Sequence, residues 1–194
     1  MLLLDIMKKR QTIYDLGKDL AISKEEFVKL TKDVLANTPS AFNAKTQRLL
    51  ILTDENHEKL WDIVLETLDE VTGGNSNETI QKIKRFKNAK ATVLIYKDHE
   101  PTQNLVENFP LYADNFPYWA TQESGFLQHA LWLAYTEAGI GANLQHYNPL
   151  IDEKVAREFN VPSNWELVAQ MVVGSKPEIE DKVREYVDTS VIVK

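Results

Sequence analysis

The chain has no cysteine. Disulfides, thiolate metal centres and a cysteine nucleophile are therefore excluded, and the composition suits a reducing compartment. Glycine and proline are sparse, seven of each in 194 residues. None of the glycines falls into G-x-G-x-x-G, G-x-x-x-x-G-K-[ST] or G-x-S-x-G. A glycine-built phosphate cradle and a nucleophile elbow are both missing. Long hydrophobic runs are missing too. MLLLDIMKKR has three leucines before Asp5, short of the roughly 7–15 apolar residues of a secretory signal core. The longest stretches without Asp, Glu, Lys or Arg are Ser124–Thr136 and Ala138–Ile151, below the roughly 18 apolar residues of a membrane span. Positive charge is in deficit, with a formal net charge of -7. General affinity for nucleic acid or for an anionic membrane is not expected. The expectation is a cytoplasmic protein that binds any anion at a local positive site.

Histidine is also scarce. His57, His99, His129 and His146 stand far apart with no H-x-x-x-H or H-x-H spacing, so no metal site is expected. His57-Glu58 lacks the second histidine of a zinc-protease helix. His129 is expected to be a satisfied core histidine.

What is present is an ordinary globular mixture, 43% hydrophobic and 26% charged, enough for one domain spanning residues 1–194. The pattern predicts a short helix over Leu3–Arg10. A second helix follows, started by Ser23 and Glu26 in the spacing of a capping box and ended by Asn37 and Pro39. Arg48–Thr53 reads as a strand, and Asp54 as the cap of a helix carrying Leu60, Trp61, Val64, Leu65 and Leu68 on one side. GGNSN reads as a surface turn, QKIKRFKN as a short basic helix and ATVLIYK as a second strand. Asp98–Tyr118, rich in Asn, Phe and Pro, reads as a long irregular segment. Trp119–Ala138 is apolar nearly all round and is expected to be central, with Gly139 and Gly141 stopping it. Ala142–Tyr147 and Trp165–Val173 read as strands, Asp152–Phe159 as a helix. The closing SVIV is strand-like with no local partner, so it is expected to join an edge of its own sheet or of a second copy. Helices interspersed with separated strands give an α+β sandwich. The greasy helix and the reaching tail suggest a homodimer.

Three groups of polar residues lie where a fold would not need them. Arg10, Gln11 and Thr12 follow the first helix, where a guanidinium and a hydroxyl suit a phosphate. They also suit a solvated helix end. Thr38–Leu52, TPSAFNAKTQRLLIL, sets Pro39, Ser40 and Asn43 directly before a core strand. That is either a plain helix stop and turn, or a group held still against a ligand. NLQHYNP (Asn143–Pro149) packs Asn, Gln, His, Tyr and Asn beside the core. Unpaired buried polar groups cost about 1–3 kcal/mol, so a ligand rich in donors and acceptors, or ordinary backbone, must satisfy them.

Taken together, R-x-T, P-S-x-x-N and G-x-G-x-x-L-Q-H-Y-N-P in this order resemble the nitroreductase family of flavoproteins. TIYDLGKDLAIS, HEKLWDIVLETL and YADNFPYWATQESG add to the resemblance, which covers nearly the whole chain. It is narrowest with the small branch typified by yeast and bacterial proteins first linked to fatty-acid repression. The resemblance implies nitroreductase-like helices around a mixed, mainly antiparallel sheet, in an intertwined homodimer with two FMN sites at the interface. It assigns Arg10, Gln11 and Thr12 to the FMN phosphate and ribityl chain. Pro39, Ser40, Ala41 and Asn43 of the second subunit would lie against the ring. Backbone around Leu144, Gln145 and His146 would run along the flavin, and Lys82 or Arg85 would reach its pyrimidine side.

Two positions depart from the pattern. Lys45 stands where glutamine is usual in the second motif. Ser190 stands where the tail often carries an arginine, with Lys176, Lys182 and Arg184 as substitutes. The implied function is transfer of a hydride from NADH or NADPH to a nitroaromatic or quinone by a two-stroke route. No dedicated acid, base or nucleophile is then required, because the cofactor carries the chemistry. Phe109 and Phe116, with Tyr112 and Tyr118, are the expected aromatic wall for flat substrates, or else pack their segment onto the core. The alternative is an FMN-binding regulatory protein of lipid or stress response with weak turnover.

Overall fold

The computed structural model describes residues 2–74, 76–180, 182 and 191. Elements appear in the order α1 (Leu3–Lys9), α2 (Lys24–Asn37), β1 (Gln47–Thr53), α3 (Asp54–Thr72), α4 (Asn77–Lys87), β2 (Ala91–Asp98), α5 (His99–Asn108), α6 (Asn115–Glu137), β3 (Gly141–Gln145), α7 (Asp152–Phe159) and β4 (Trp165–Gly174). The four strands form one sheet in the order β1-β2-β4-β3, every pair antiparallel. The fold is thus the expected α+β, with helices on an antiparallel sheet. The strand-like SVIV, with Arg184 and Ser190, lies outside the described residues but for Val191.

Helices cover both faces of the sheet. Leu94 and Tyr96 of β2 join Leu60, Trp61 and Val64 of α3, Ile83 and Phe86 of α4 and Val155 of α7. Ala91, Val93 and Ile95 face the other way, onto Phe27 of α2 and Leu127, Leu131 and Tyr135 of α6. This double coverage is why β2 reads as an unbroken apolar run rather than as alternation.

Local signals set several boundaries. Ser23 Oγ accepts from Glu26 N at 3.2 Å and Glu26 Oε2 accepts from Ser23 N at 2.9 Å, the reciprocal pair of a capping box. Gly139, at φ +77°, takes the left-handed turn that ends α6. At α3 the cap is Thr53, not Asp54, which is the first helical residue.

The segment expected to be irregular is mostly helical. Asp98 Oδ1 accepts from Glu100 N at 3.0 Å and caps α5. Pro101 and Pro117 sit in the first turns of α5 and α6. No intrahelical N–H partner is needed there, so proline starts these helices instead of breaking them.

The central helix also differs from expectation. Within the chain α6 buries one stripe, Phe116, Ala120, Glu123, Ser124, Leu127, Leu131 and Tyr135. Phe126 is 54% exposed and His129 is exposed rather than a core histidine. The histidine that fills the core role is His57. Thr92 Oγ1 accepts from Trp61 Nε1 at 3.1 Å and pairs with His57 Nδ1 at 3.0 Å, while His57 Nε2 meets the Phe86 carbonyl at 3.1 Å. That carbonyl fixes the tautomer with the proton on Nε2.

No helix among the described residues is long and apolar enough to cross a membrane.

Candidate functional site

Between α2 and β1 the backbone takes a shape that few side chains tolerate. Phe42, Asn43 and Lys45 all have positive φ, at 54°, 53° and 51°. Left-handed conformations in non-glycine residues persist only where their surroundings over-determine them. Here the turn closes on itself: Ser40 Oγ accepts from Lys45 N at 2.9 Å and Ser40 O from Asn43 N at 3.0 Å. It is also tied from below. Glu123 of α6, 2% exposed, accepts from Ala41 N at 2.7 Å through Oε1 and from the Thr46 hydroxyl through Oε2. Gln47 donates to the Ala120 carbonyl at 3.0 Å and accepts from Ser124 Oγ at 2.7 Å. At the far end Arg48 Nη2 pairs with Asp98 Oδ2 at 2.7 Å, and Asp98 N donates to Thr46 O at 2.8 Å. The turn is a fixed platform held on α6.

A cavity of about 410 Å³ opens beside it, lined by Pro39, Ser40, Ala41, Phe42, Trp119, Gln122, Glu123 and Phe126. Aromatic rings bank against this platform. Phe42 lies 5.0 Å from Phe109 and 5.4 Å from Phe116, and Trp119 stands edge-on to Phe116 at 5.4 Å. The two phenylalanines expected at a substrate wall differ in position. Phe116 is buried, at 2%, and forms the base of the cluster, whereas Phe109 is 41% exposed. Phe42 and Tyr112 supply the other exposed rings.

The second group of polar residues gathers elsewhere. Arg10 caps the C-terminus of α1. Its guanidinium carbon lies 4.5 Å from the ring centroid of Trp132 on α6. Gln11 is buried and donates to the Glu180 carbonyl at 2.8 Å, while Thr12 is exposed. Ile13 N donates to Ala142 O at 3.0 Å, pinning this strip to β3. On β3, Asn143 Nδ2 reaches Ile13 O at 2.8 Å and Gln145 Nε2 reaches Asn143 Oδ1 at 2.9 Å. Leu144 is half-buried, Gln145 buried and His146 exposed. Gln170 of β4 ties the end of the motif down, accepting from Tyr147 N at 2.8 Å. The polar run Asn143–Pro149 is therefore met largely by backbone and by Gln170.

Lys82 and Arg85 project from α4 on this side. Lys82 Nζ lies 5.9 Å from the rings of both Phe86 and Tyr147. Arg85 Nε lies 3.5 Å from Asp15 Oδ1 and lines a cavity of about 380 Å³ with Lys176, Asn88 and Ser175. Burial, with a smaller contribution from the nearby Tyr14, pushes the Tyr147 phenol up to about 12. It is a neutral hydrogen-bonding group at any ordinary pH.

The expected site residues thus fall into two groups. Arg10–Thr12, Leu144–His146, Lys82 and Arg85 flank one end of the sheet. Pro39–Asn43, Phe109 and Phe116 surround the platform. Helix α6 carries both, through Trp132 and Glu123. Their separation of nine positions corresponds to about 13.5 Å along a helix axis. Sequence reasoning missed Glu123 and Trp132. Glu123 carried a signal, a lone acidic residue inside an apolar helix; Trp132 read simply as part of the greasy run. Among the described residues no group of His, Asp or Glu could hold a metal ion.

Comparison with known proteins adds four findings. Residues 7–175 match the model of the nitroreductase family. The chain is 31% identical over 173 residues to nitroreductase FRM2 of Saccharomyces cerevisiae, covering 88% of this chain and 86% of that protein. Its fold is similar to that of nitroreductase CinD from Lactococcus lactis in complex with nicotinic acid. The TM-score is 0.91 and the identity 40%, with all of both chains covered; CinD has also been solved with chloramphenicol and with 4-nitrophenol. The fold alone is shared with a Desulfovibrio desulfuricans protein in complex with FMN, at 16% identity and a TM-score of 0.72, covering 100% of this chain and 97% of that one.

Proposed function

The chain belongs to the nitroreductase family of oxidoreductases, and we propose that it is an FMN-dependent NAD(P)H oxidoreductase. It acts as a cytoplasmic homodimer that reduces nitroaromatics or quinones by two-electron, ping-pong hydride transfer. The observation that carries this reading is the pair of separated half-sites. A donor-rich strip and a rigid aromatic-flanked platform each lack what the other offers, and two copies of one chain would bring unlike halves together.

The residues fit the cofactor. Arg10 offers a planar guanidinium and Thr12 an exposed hydroxyl, the donor types a phosphate and a sugar chain require. Gln11 completes the strip by holding the chain at Glu180 beside it. Backbone at Leu144, Gln145 and His146 belongs to the same strip, and Lys82 or Arg85 would bring positive charge to the pyrimidine edge. Pro39, Ser40, Ala41 and Asn43 of the second subunit would form the flat wall for the ring. Bound FMN supplies the reversible two-electron chemistry that no side chain here provides.

The chain's own residues do the rest. Glu123 keeps the platform fixed, so little order is lost when a flat ligand docks. Phe42, Phe109 and Tyr112 exclude water and accept planar substrates by stacking. The complexes of CinD with chloramphenicol and 4-nitrophenol support this substrate class. Lys82 and Arg85 would hold developing negative charge in an otherwise acidic protein.

The test is the visible spectrum of the purified protein before and after anaerobic NADH, and then NADPH. A yellow protein that bleaches is the expected result. One that stays yellow with both nucleotides supports a regulatory flavoprotein instead. A protein that remains colourless after incubation with FMN overturns the site assignment.

A further inference from the structure

We propose that Lys32 and Lys45 form a subsite beside the platform for an oxyanion, a phosphate or a carboxylate. It rests on the function proposed above for what docks there, the reducing nucleotide or its acceptor, and names the charged group that either would present.

A second cavity, of about 320 Å³, lies between the end of α2 and the start of β1. Leu35, Ala36 and Pro39 give it apolar walls, and Lys32, Lys45 and Arg48 give it charge. No acidic residue lines it among the described residues. Pro39 and Ser40 also line the cavity beside the platform, so the two adjoin. In a chain of net charge -7 this is a local reversal of sign, and apolar walls concentrate such a field.

Two of the three cations are uncommitted. Arg48 is engaged: its Nη1 donates to Lys45 O at 2.6 Å and to Gln47 O at 2.9 Å, and its Nη2 pairs with Asp98. Other lysines meet carboxylates, Lys24 and Lys90 at Asp54, Lys87 at Asp62 and Lys97 at Glu166. Lys32 and Lys45 are exposed and make no ion pair or side-chain hydrogen bond among the described residues. Asp33, next to Lys32, is taken by Lys29.

Backbone preference does not explain lysine at position 45. Its φ of 51° lies in the region that suits glycine or asparagine. The peptide is pinned on both sides, by Ser40 Oγ at its N–H and by Arg48 at its carbonyl, so the side chain leaves from a fixed point. The end of α2 does not oppose an anion as an open helix C-terminus would. Thr38 closes it, donating to Val34 O through Oγ1 at 2.9 Å and to Leu35 O through N at 3.3 Å.

The test is calorimetric titration of the protein as purified with two matched pairs of probes. 2′,5′-ADP and 5′-AMP differ by one phosphate; 4-nitrobenzoate and 4-nitrobenzyl alcohol differ by a carboxylate charge. The more anionic member of at least one pair should bind more tightly, and the preference should vanish near 1 M salt, where the Debye length is about 3 Å. Lys32→Gln and Lys45→Gln should each weaken that member by about two- to fivefold, the upper span of an exposed ion pair. The less charged member should change less than twofold, and Lys45→Arg should keep the preference. If Lys45→Gln does not fold, Lys32→Gln on the surface of α2 makes the same test.

Preference for 2′,5′-ADP alone assigns the subsite to the nucleotide, and the FMN-loaded protein should then favour NADPH over NADH in kcat/KM. Preference for 4-nitrobenzoate alone assigns it to the acceptor. No preference within either pair overturns the proposal, as does equal weakening of both members in the lysine variants. A protein that stays colourless with FMN yet prefers the anions refutes the flavin reading and keeps the subsite, whereas one that bleaches with no preference loses only the subsite.

Discussion

Replacing Glu123 by glutamine, a side chain of nearly the same shape, should loosen the platform between α2 and β1. The side chain is 2% exposed, and both its oxygens accept, one from Ala41 N and one from the Thr46 hydroxyl. Glutamine keeps one accepting oxygen, which can still serve Ala41. Its other arm becomes a donor facing Thr46, whose hydroxyl oxygen already accepts from Gln47 Nε2 at 2.9 Å. One charge-assisted bond is lost and the other loses its charge, a change of about 1.5–3 kcal/mol. In a chain of this size that lowers the melting temperature by about 4–10 °C. Glu123→Ala empties the site altogether and should cost about 3–5 kcal/mol.

The distinguishing effect is on binding. Phe42, Asn43 and Lys45 hold left-handed conformations that cost about 1–3 kcal/mol each when nothing enforces them. A released turn relaxes, so FMN affinity should fall together with stability. The assay is urea unfolding at fixed protein concentration alongside FMN titration. If Glu123→Gln unfolds within 0.5 kcal/mol of the parent (roughly the scatter of neutral surface changes) and binds FMN equally well, the platform is not held by this residue and the reasoning fails.

Three further outcomes follow from other sites. Burial holds the His57 imidazole below its usual range, so the folded protein keeps it neutral while the unfolded chain takes up a proton near pH 6.5. Stability should therefore be full above about pH 6.5 and fall below it by up to about 1.4 kcal/mol per unit. Denaturant midpoints at pH 7.5 and 5.5 measure this, and His57→Gln should flatten the profile. Phe109→Ala, at a half-open position, should cost under about 1 kcal/mol and shift preference among nitroaromatic and quinone acceptors with FMN retained, whereas Phe116→Ala should cost about 3–5 kcal/mol; a melting-temperature comparison in which the two variants match would contradict this. Gly174 ends β4 where a Cβ would stand 2.3 Å from the Gly17 carbonyl oxygen and 3.3 Å from Lys90 N. Gly174→Ala should destabilise by more than about 2 kcal/mol in urea unfolding, and a neutral result would mean the 15–17 strip can move away.

Much of the fold can be read along the chain because it rests on local chemistry. The Ser23–Glu26 box, the apolar run of β2 and the positive φ of Gly139 are properties of a few neighbouring residues. The misreading of Asp98–Tyr118 shows the limit of such signals. Proline reads as a breaker by composition, but Pro101 and Pro117 stand in the first turns of helices, where the same residue is favourable. His129 is exposed where a core histidine is expected, because helical periodicity does not say which flank of an apolar helix meets the sheet.

For the site, the sequence by itself determined the chemical inventory. It excluded thiol and glycine-loop chemistry, set a net negative charge, and placed arginine, hydroxyl and amide groups in three short motifs whose order resembles one family. Only the tertiary structure decided how those motifs are held. Glu123 lies 80 or so residues from the turn it anchors, and Trp132 lies over 120 from the arginine it stacks on. Neither pairing has a local signature, because a contact across the core depends on how the sheet and α6 pack, and that packing is fixed by the whole chain at once.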